Sequence, residues 1–257
     1  FCSVLSRSHA AMVSWQLGFP DKALDLAEET VRNAKLLNHP FSYAMSLFFR
    51  RLVYEFVGLE AEARKSIEAE YAICHEQGLM FFEVHAIFGR GEILLRQRKF
   101  DEARQQFDLG WQMRCAIGGK NSMDYAYRSI AEAYLAVGLP DEADEWLQRG
   151  FDLVENSGKR GLESEFLRLR GEQAMARGDE AGAEGYYEQA LANARKQEAL
   201  SLELRSAIRF AELRQRQGRG AEGRDLLADC YARFTEGFAS ADLRRAKKLL
   251  DALEAQS

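Results

Sequence analysis

The chain has 257 residues, 47% of them apolar and 29% charged, with a net charge of −5. The acidic balance argues against a nucleic-acid-binding domain, which carries a basic surplus, and no apolar run reaches the ~20 residues of a membrane-spanning helix. Cys2, Cys74, Cys115 and Cys230 lie too far apart for a metal-ligand spacing and read as thiols of a reducing, cytoplasmic compartment.

Taken from the N-terminus, the first helical pair closes on Gly18 and reopens at Pro20-Asp21. Proline near the first helical position costs no hydrogen bond, and the acid favours the positive end of the helix dipole. The second helix is expected over Asp21–Leu37, and Pro40 lies beyond its end. The same arrangement then returns every 40 residues. The turn falls at Gly18, Gly58, Arg98, Gly138, Gly178 and Gly218, and a small packing residue five places on at Ala23, Ala63, Ala103, Ala143, Ala183 and Gly223. Bulky partners follow at Ala27, Ile67, Phe107, Leu147, Tyr187 and Leu227, which is one face of an α-helix. Asn38, Gly78, Gly118 and Gly158 fall where each second helix should end, residues suited to a left-handed cap. The next first helix is expected near Phe41, Phe81, Asn121, Gly161 and Ser201.

Six copies in register predict an all-α fold: a right-handed superhelical solenoid of six tetratricopeptide (TPR)-like helix-turn-helix repeats with a 40-residue period. The repeats run about 1–38, 41–78, 81–118, 121–158, 161–198 and 201–238, within a single domain spanning 1–257. A C-terminal capping helix over 240–255 follows, with Ser240 as its N-cap. Arg51 breaks the pattern, standing where the other first helices carry Ala11, Gly91, Ala131, Gly171 and Ala211.

No phosphate loop, His-x-x-x-His pair or other catalytic or metal constellation is present, so no enzyme activity and no cofactor is expected of this chain. The first helices supply the concave groove of such an array. Its expected inward residues are Met45, Phe48 and Leu52, then His85, Phe88 and Glu92, then Tyr125, Arg128 and Glu132, then Glu165, Arg168 and Glu172, with Arg205, Ile208 and Glu212 in repeat six. Two readings stay open. The charged half is either a solvated face or the charged end of a groove for a peptide or amphipathic helix, and Phe48 and Phe88 serve either that groove or the core between repeats. A small effector seated in the groove and homodimerisation through the uncovered first helix, at Phe1, Val4 and Leu5, are the alternatives to a protein partner.

The end of the chain is more specific. Ser201-Leu202-Glu203-Leu204-Arg205-Ser206-Ala207, then Gln217-Gly218, then Tyr231-Ala232-Arg233-Phe234-Thr235-Glu236-Gly237-Phe238 and Ala241-Asp242-Leu243, resembles the closing segment of large bacterial signalling ATPases. In that family a class III nucleotide cyclase or a winged-helix domain precedes a STAND-type AAA ATPase, and a TPR-like array follows. The resemblance implies a cytoplasmic, non-catalytic sensor or scaffold arm that contacts a protein segment or other domains of its own polypeptide. Phe1 in place of methionine fits a piece of such a longer chain.

Overall fold

The computed structural model describes residues 2–118 and 123–255. Among the described residues there are thirteen helices and no strand: α1 (Cys2–Gln16), α2 (Pro20–Leu36), α3 (Pro40–Val57), α4 (Glu60–Gln77), α5 (Met80–Arg96), α6 (Phe100–Ile117), α7 (Asp124–Ala136), α8 (Pro140–Ser157), α9 (Glu163–Ala176), α10 (Glu180–Lys196), α11 (Leu200–Arg216), α12 (Gly220–Tyr231) and α13 (Ala241–Glu254). Consecutive helices pair as antiparallel hairpins from α1/α2 to α11/α12. The odd-numbered helices stack in order, α1 on α3 through to α11 on α13. The first helices of repeats four and five begin at Asp124 and Glu163, a few residues later than the spacing predicts, and Asn121 lies outside the described residues.

The turns explain the period. Gly18, Gly58, Gly138, Gly178 and Gly218 all adopt positive φ, and Arg98 takes the same conformation at φ 60° without glycine's freedom. Small residues then let the helices of each hairpin approach. Ala103, Ala143 and Ala183 are fully buried. A Cβ on Gly223 would lie 2.9 Å from the Ala211 backbone, and one on Gly171 2.3 Å from the Tyr187 ring. Between repeats the fit is equally close: a Cβ on Gly150 would lie 2.3 Å from the Phe166 ring. Ser240 is the N-cap of α13 by backbone conformation, but its side chain makes no capping hydrogen bond.

The stack does not stay open. It coils until its last repeat meets its first. Helix α11 packs on α1, where Ser201 Oγ donates to the Trp15 carbonyl at 2.5 Å. The segment after α12 reaches the start of α2. There the Lys22 N–H donates to the Glu236 carboxylate at 3.0 Å and the Gly237 N–H to the Asp21 carboxylate at 2.9 Å. Glu236 therefore caps, from 214 residues away, a helix whose own preceding residue Phe19 offers no capping side chain. Gly237 has φ 75°, and a Cβ there would lie 2.4 Å from Pro20. At the other rim Ala241 sits against Gly58. The apolar end expected to stand free is largely covered: Val4 is buried and Leu5 half-buried, while Phe1 lies outside the described residues.

Candidate functional site

The odd-numbered helices carry the side chains expected to line a groove, and most of them are buried. In the first half they form apolar core. Met45, Phe48, Leu52 and Phe88 are buried, with Phe48 packed against Phe49, Phe82 and His85. Burial pushes the His85 imidazole down to about 3, so it is neutral there. Tyr125 is half-buried, within ring contact of Phe48 and Phe56.

In the second half the same positions carry charge and meet one another. Arg168 is 2% exposed and holds Glu165 at 2.9 Å, Glu132 at 2.9 Å and also Glu172. Arg205 reaches Glu132 and Glu165. Arg128 binds Glu132 at 2.6 Å and Glu55 at 3.7 Å, and Arg209 joins Glu172 at 2.6 Å to Glu212 at 3.1 Å. Arg51 continues the chain from Glu55 at 2.6 Å to Glu70 at 3.3 Å.

The electrostatics follow from this wiring. Burial pushes the Glu165 carboxyl up, yet Arg168 and Arg205 outweigh it and its pKa lies below the ordinary value. Glu132 is half-buried and, against the effect of burial, is held well below the ordinary range by Arg205, Arg168 and Arg128. Glu70 shows the reverse balance. Burial takes it up to about 8 against the pull of Arg51. Glu92 is pushed up to about 7, by burial first and then by the Glu55 carboxylate, with Arg51, the Ser129 hydroxyl and Arg96 opposing. Ser129 Oγ donates to Glu92 at 2.6 Å.

Among the described residues three clefts border this network: one of about 420 Å³ beside Glu172, Arg209 and Glu212, and two around Glu55 and Arg96. Of the latter two, one, of about 120 Å³, is lined by Glu55, Glu92, Arg96, Arg128 and Ser129, with Ile67 and Ile93 on its apolar side. The other, of about 360 Å³, shares Glu55, Arg96 and Glu132 and runs on to Arg205, Arg209 and Asp242. The twelve groove residues expected from sequence are thus spent largely on contacts within the molecule, Phe88 among them in the core against Phe107 and Trp146. Glu55, Glu70, Arg96, Ser129, Arg209 and Asp242 join them unforeseen. Part of that was visible: the position of Glu70 is held by Gly110, Gly150 and Ala190 in later repeats, so repeat two replaces two small residues at once, by the Arg51–Glu70 pair.

No family model matches the chain, and no curated protein does. Solved structures do. PilW, a widely conserved type IV pilus biogenesis factor, is similar with a TM-score of 0.50 at 13% identity, over 94% of this chain and 97% of that one. A tetratricopeptide repeat protein from Parabacteroides merdae superposes with a TM-score of 0.44 at 14% identity, over 99% and 100%. The fold is that of an all-α, TPR-like solenoid.

Proposed function

We propose that this chain is a non-catalytic sensing and interaction module of a larger bacterial signalling protein, holding a small effector in its closed centre and presenting its outer helices to a protein partner or to other domains of the same polypeptide. The observation that carries this reading is the fate of the groove. Its charged residues are bonded to one another and its aromatic residues are core, so what remains for a ligand is a set of clefts of small-molecule size. A peptide lying along the concave face would first have to break the Arg128, Arg168 and Arg205 pairs. The partner class follows from the TPR-like architecture, whose stacked helices offer extended surface, and from apolar side chains left in water at the α2–α3 turn, where Leu36 is 83% and Leu37 53% exposed. The cytoplasmic, signalling setting rests on the resemblance of residues 201–243 described above.

The test is a thermal-shift screen of amino acids, amines, sugars and nucleotides beside a library of fifteen-residue peptides. A ligand present at 100 times its dissociation constant adds ~2.7 kcal/mol. Small molecules should move the transition, and Arg96→Ala should weaken the hits. If only peptides bind, and Arg96→Ala leaves them unaffected, the cleft is not the sensing site.

A further inference from the structure

The inner acids recur every 40 residues as Glu92, Glu132, Glu172 and Glu212, and three of the four are neutralised by arginine. Glu132 receives Arg128, Arg168 and Arg205, Glu172 receives Arg168 and Arg209, and Glu212 receives Arg209 and Arg245. Glu92 differs. The arginine that precedes Glu132 and Glu172 by four residues is replaced in its repeat by Phe88, which turns into the core against Phe107 and Trp146. Among the described residues no arginine or lysine pairs with Glu92 within 4 Å, although its side chain is only 7% exposed. Its hydrogen bond comes from a neutral hydroxyl, that of Ser129. Beside it, Glu55 is held through Oε1 by Arg51 at 2.6 Å, while its buried Oε2 receives no hydrogen bond, the Arg128 guanidinium lying 3.7 Å away. Both carboxylates line the 120 Å³ cleft. Burying a carboxylate without a cation is costly, and the rest of the column avoids that cost.

We propose that the space in front of Glu92 is a binding site for a compact organic zwitterion. The ligand's ammonium or guanidinium end supplies to Glu92 the cation that arginines supply elsewhere and gives Glu55 Oε2 the hydrogen bond it lacks, and its anionic end meets Arg96. Arg96 is exposed, lines both clefts around Glu55 and makes no ion pair among the described residues. Its charge reaches both Glu92 and Glu132 through space. Ile67 and Ile93 offer a dry wall for a short aliphatic stem. The cleft is slightly smaller than the ~150 Å³ cavity that accepts benzene, which suits a stem of a few carbons. The inference rests on the cleft being the effector site and specifies the chemistry it takes.

The test uses the full chain at pH 8 with four probes: γ-aminobutyrate and 4-guanidinobutyrate as zwitterions, n-butylamine as a cation alone and butyrate as an anion alone. Calorimetry should find a zwitterion binding at least tenfold tighter than butylamine, and butyrate not binding. At ~100 times its dissociation constant the zwitterion should raise the melting temperature by roughly 5 °C or more. Glu92→Gln should weaken the zwitterion at least tenfold. That variant keeps an oxygen for the Ser129 hydroxyl and should melt, unliganded, at or above wild type, which separates lost binding from lost folding. Arg96→Gln should bring the zwitterion down to the level of butylamine. Zwitterion binding unchanged in Glu92→Gln overturns the assignment. So does a wild type that ignores all four probes but responds to a sugar or nucleotide, a result that leaves the sensing role standing. If no small molecule of any class shifts the transition, both fall.

Discussion

Arg51 occupies a column that alanine or glycine fills in every other repeat, and Glu70 one that holds Thr30, Gly110, Gly150, Ala190 and Cys230 on the facing helices. Each alone would be a charge in the core, Arg51 3% and Glu70 0% exposed, and together they make a pair. Arg51→Met should therefore destabilise, because it removes the partner of both Glu70 and Glu55, and adding Glu70→Leu should recover only the part that comes from Glu70. Denaturant unfolding of the two variants checks this. Glu92 carries a pH signature of its own. With a folded pKa of about 7 against an ordinary 4.5, it binds its proton more tightly folded than unfolded. Its contribution to stability thus falls as pH rises from ~4.5 to about 7 and is constant above. Glu132 and Glu165, held below their ordinary values, act in the opposite sense: their stabilisation is present above the normal carboxylate range and is lost as pH falls through their folded pKa values. Glu92→Gln should gain on wild type across the 4.5-to-7 window, by at most ~1.4 kcal/mol per pH unit, and by no more beyond it. Urea unfolding at pH 5, 6, 7 and 8 reads this difference, with the other carboxylates cancelling between the two proteins.

At the scale of the helix, glycines divide by what a side chain would meet. Gly150 lies in α8 under the Phe166 ring, and Gly150→Ala should cost ~1–3 kcal/mol by overpacking. Gly185 lies in α10 with nothing within 4 Å of an added Cβ, so Gly185→Ala should stabilise by ~0.5–1 kcal/mol through helix propensity. Thermal melts of the two variants, moving in opposite directions, would check the inter-repeat packing. These elements were the most legible part of the sequence. Glycine at five of six turns, alanine five residues later in five of six repeats and three prolines kept to helix starts restate one local rule, and local rules are what a periodic pattern records. The start of α7 was less legible, because Asp124 rather than a residue near Asn121 opens it. The inner acids were legible as a column, and Phe88 at the place of Arg128 and Arg168 marked Glu92 as the odd member. Their burial was not legible. It depends on how far each hairpin rotates on the last, a small angle that no single residue encodes.

At the scale of the whole molecule, that accumulated rotation brings Glu236 and Gly237 onto the start of α2. The Phe-Thr-Glu-Gly-Phe segment, the most distinctive stretch of the sequence, is thus the seam of the coil. Gly237→Val combined with Glu236→Ala should part the seam, since the new side chain would run into Pro20 from a backbone at positive φ. The hairpins draw on their neighbours for stability and should persist. Circular dichroism should therefore stay near wild type, while small-angle scattering should report a larger radius of gyration. An unchanged radius would mean that the Ser201–Trp15 and Arg205–Glu132 contacts suffice for closure.

A stacked array ordinarily tolerates the gain or loss of a unit, because each unit answers only to its neighbours. Here the last hairpin must arrive at a fixed address on the first. Excising forty residues from the middle, or duplicating them, would leave Glu236 pointing past Lys22 and Arg205 out of reach of Glu132, so the spacing between these hairpins is held as firmly as any single side chain.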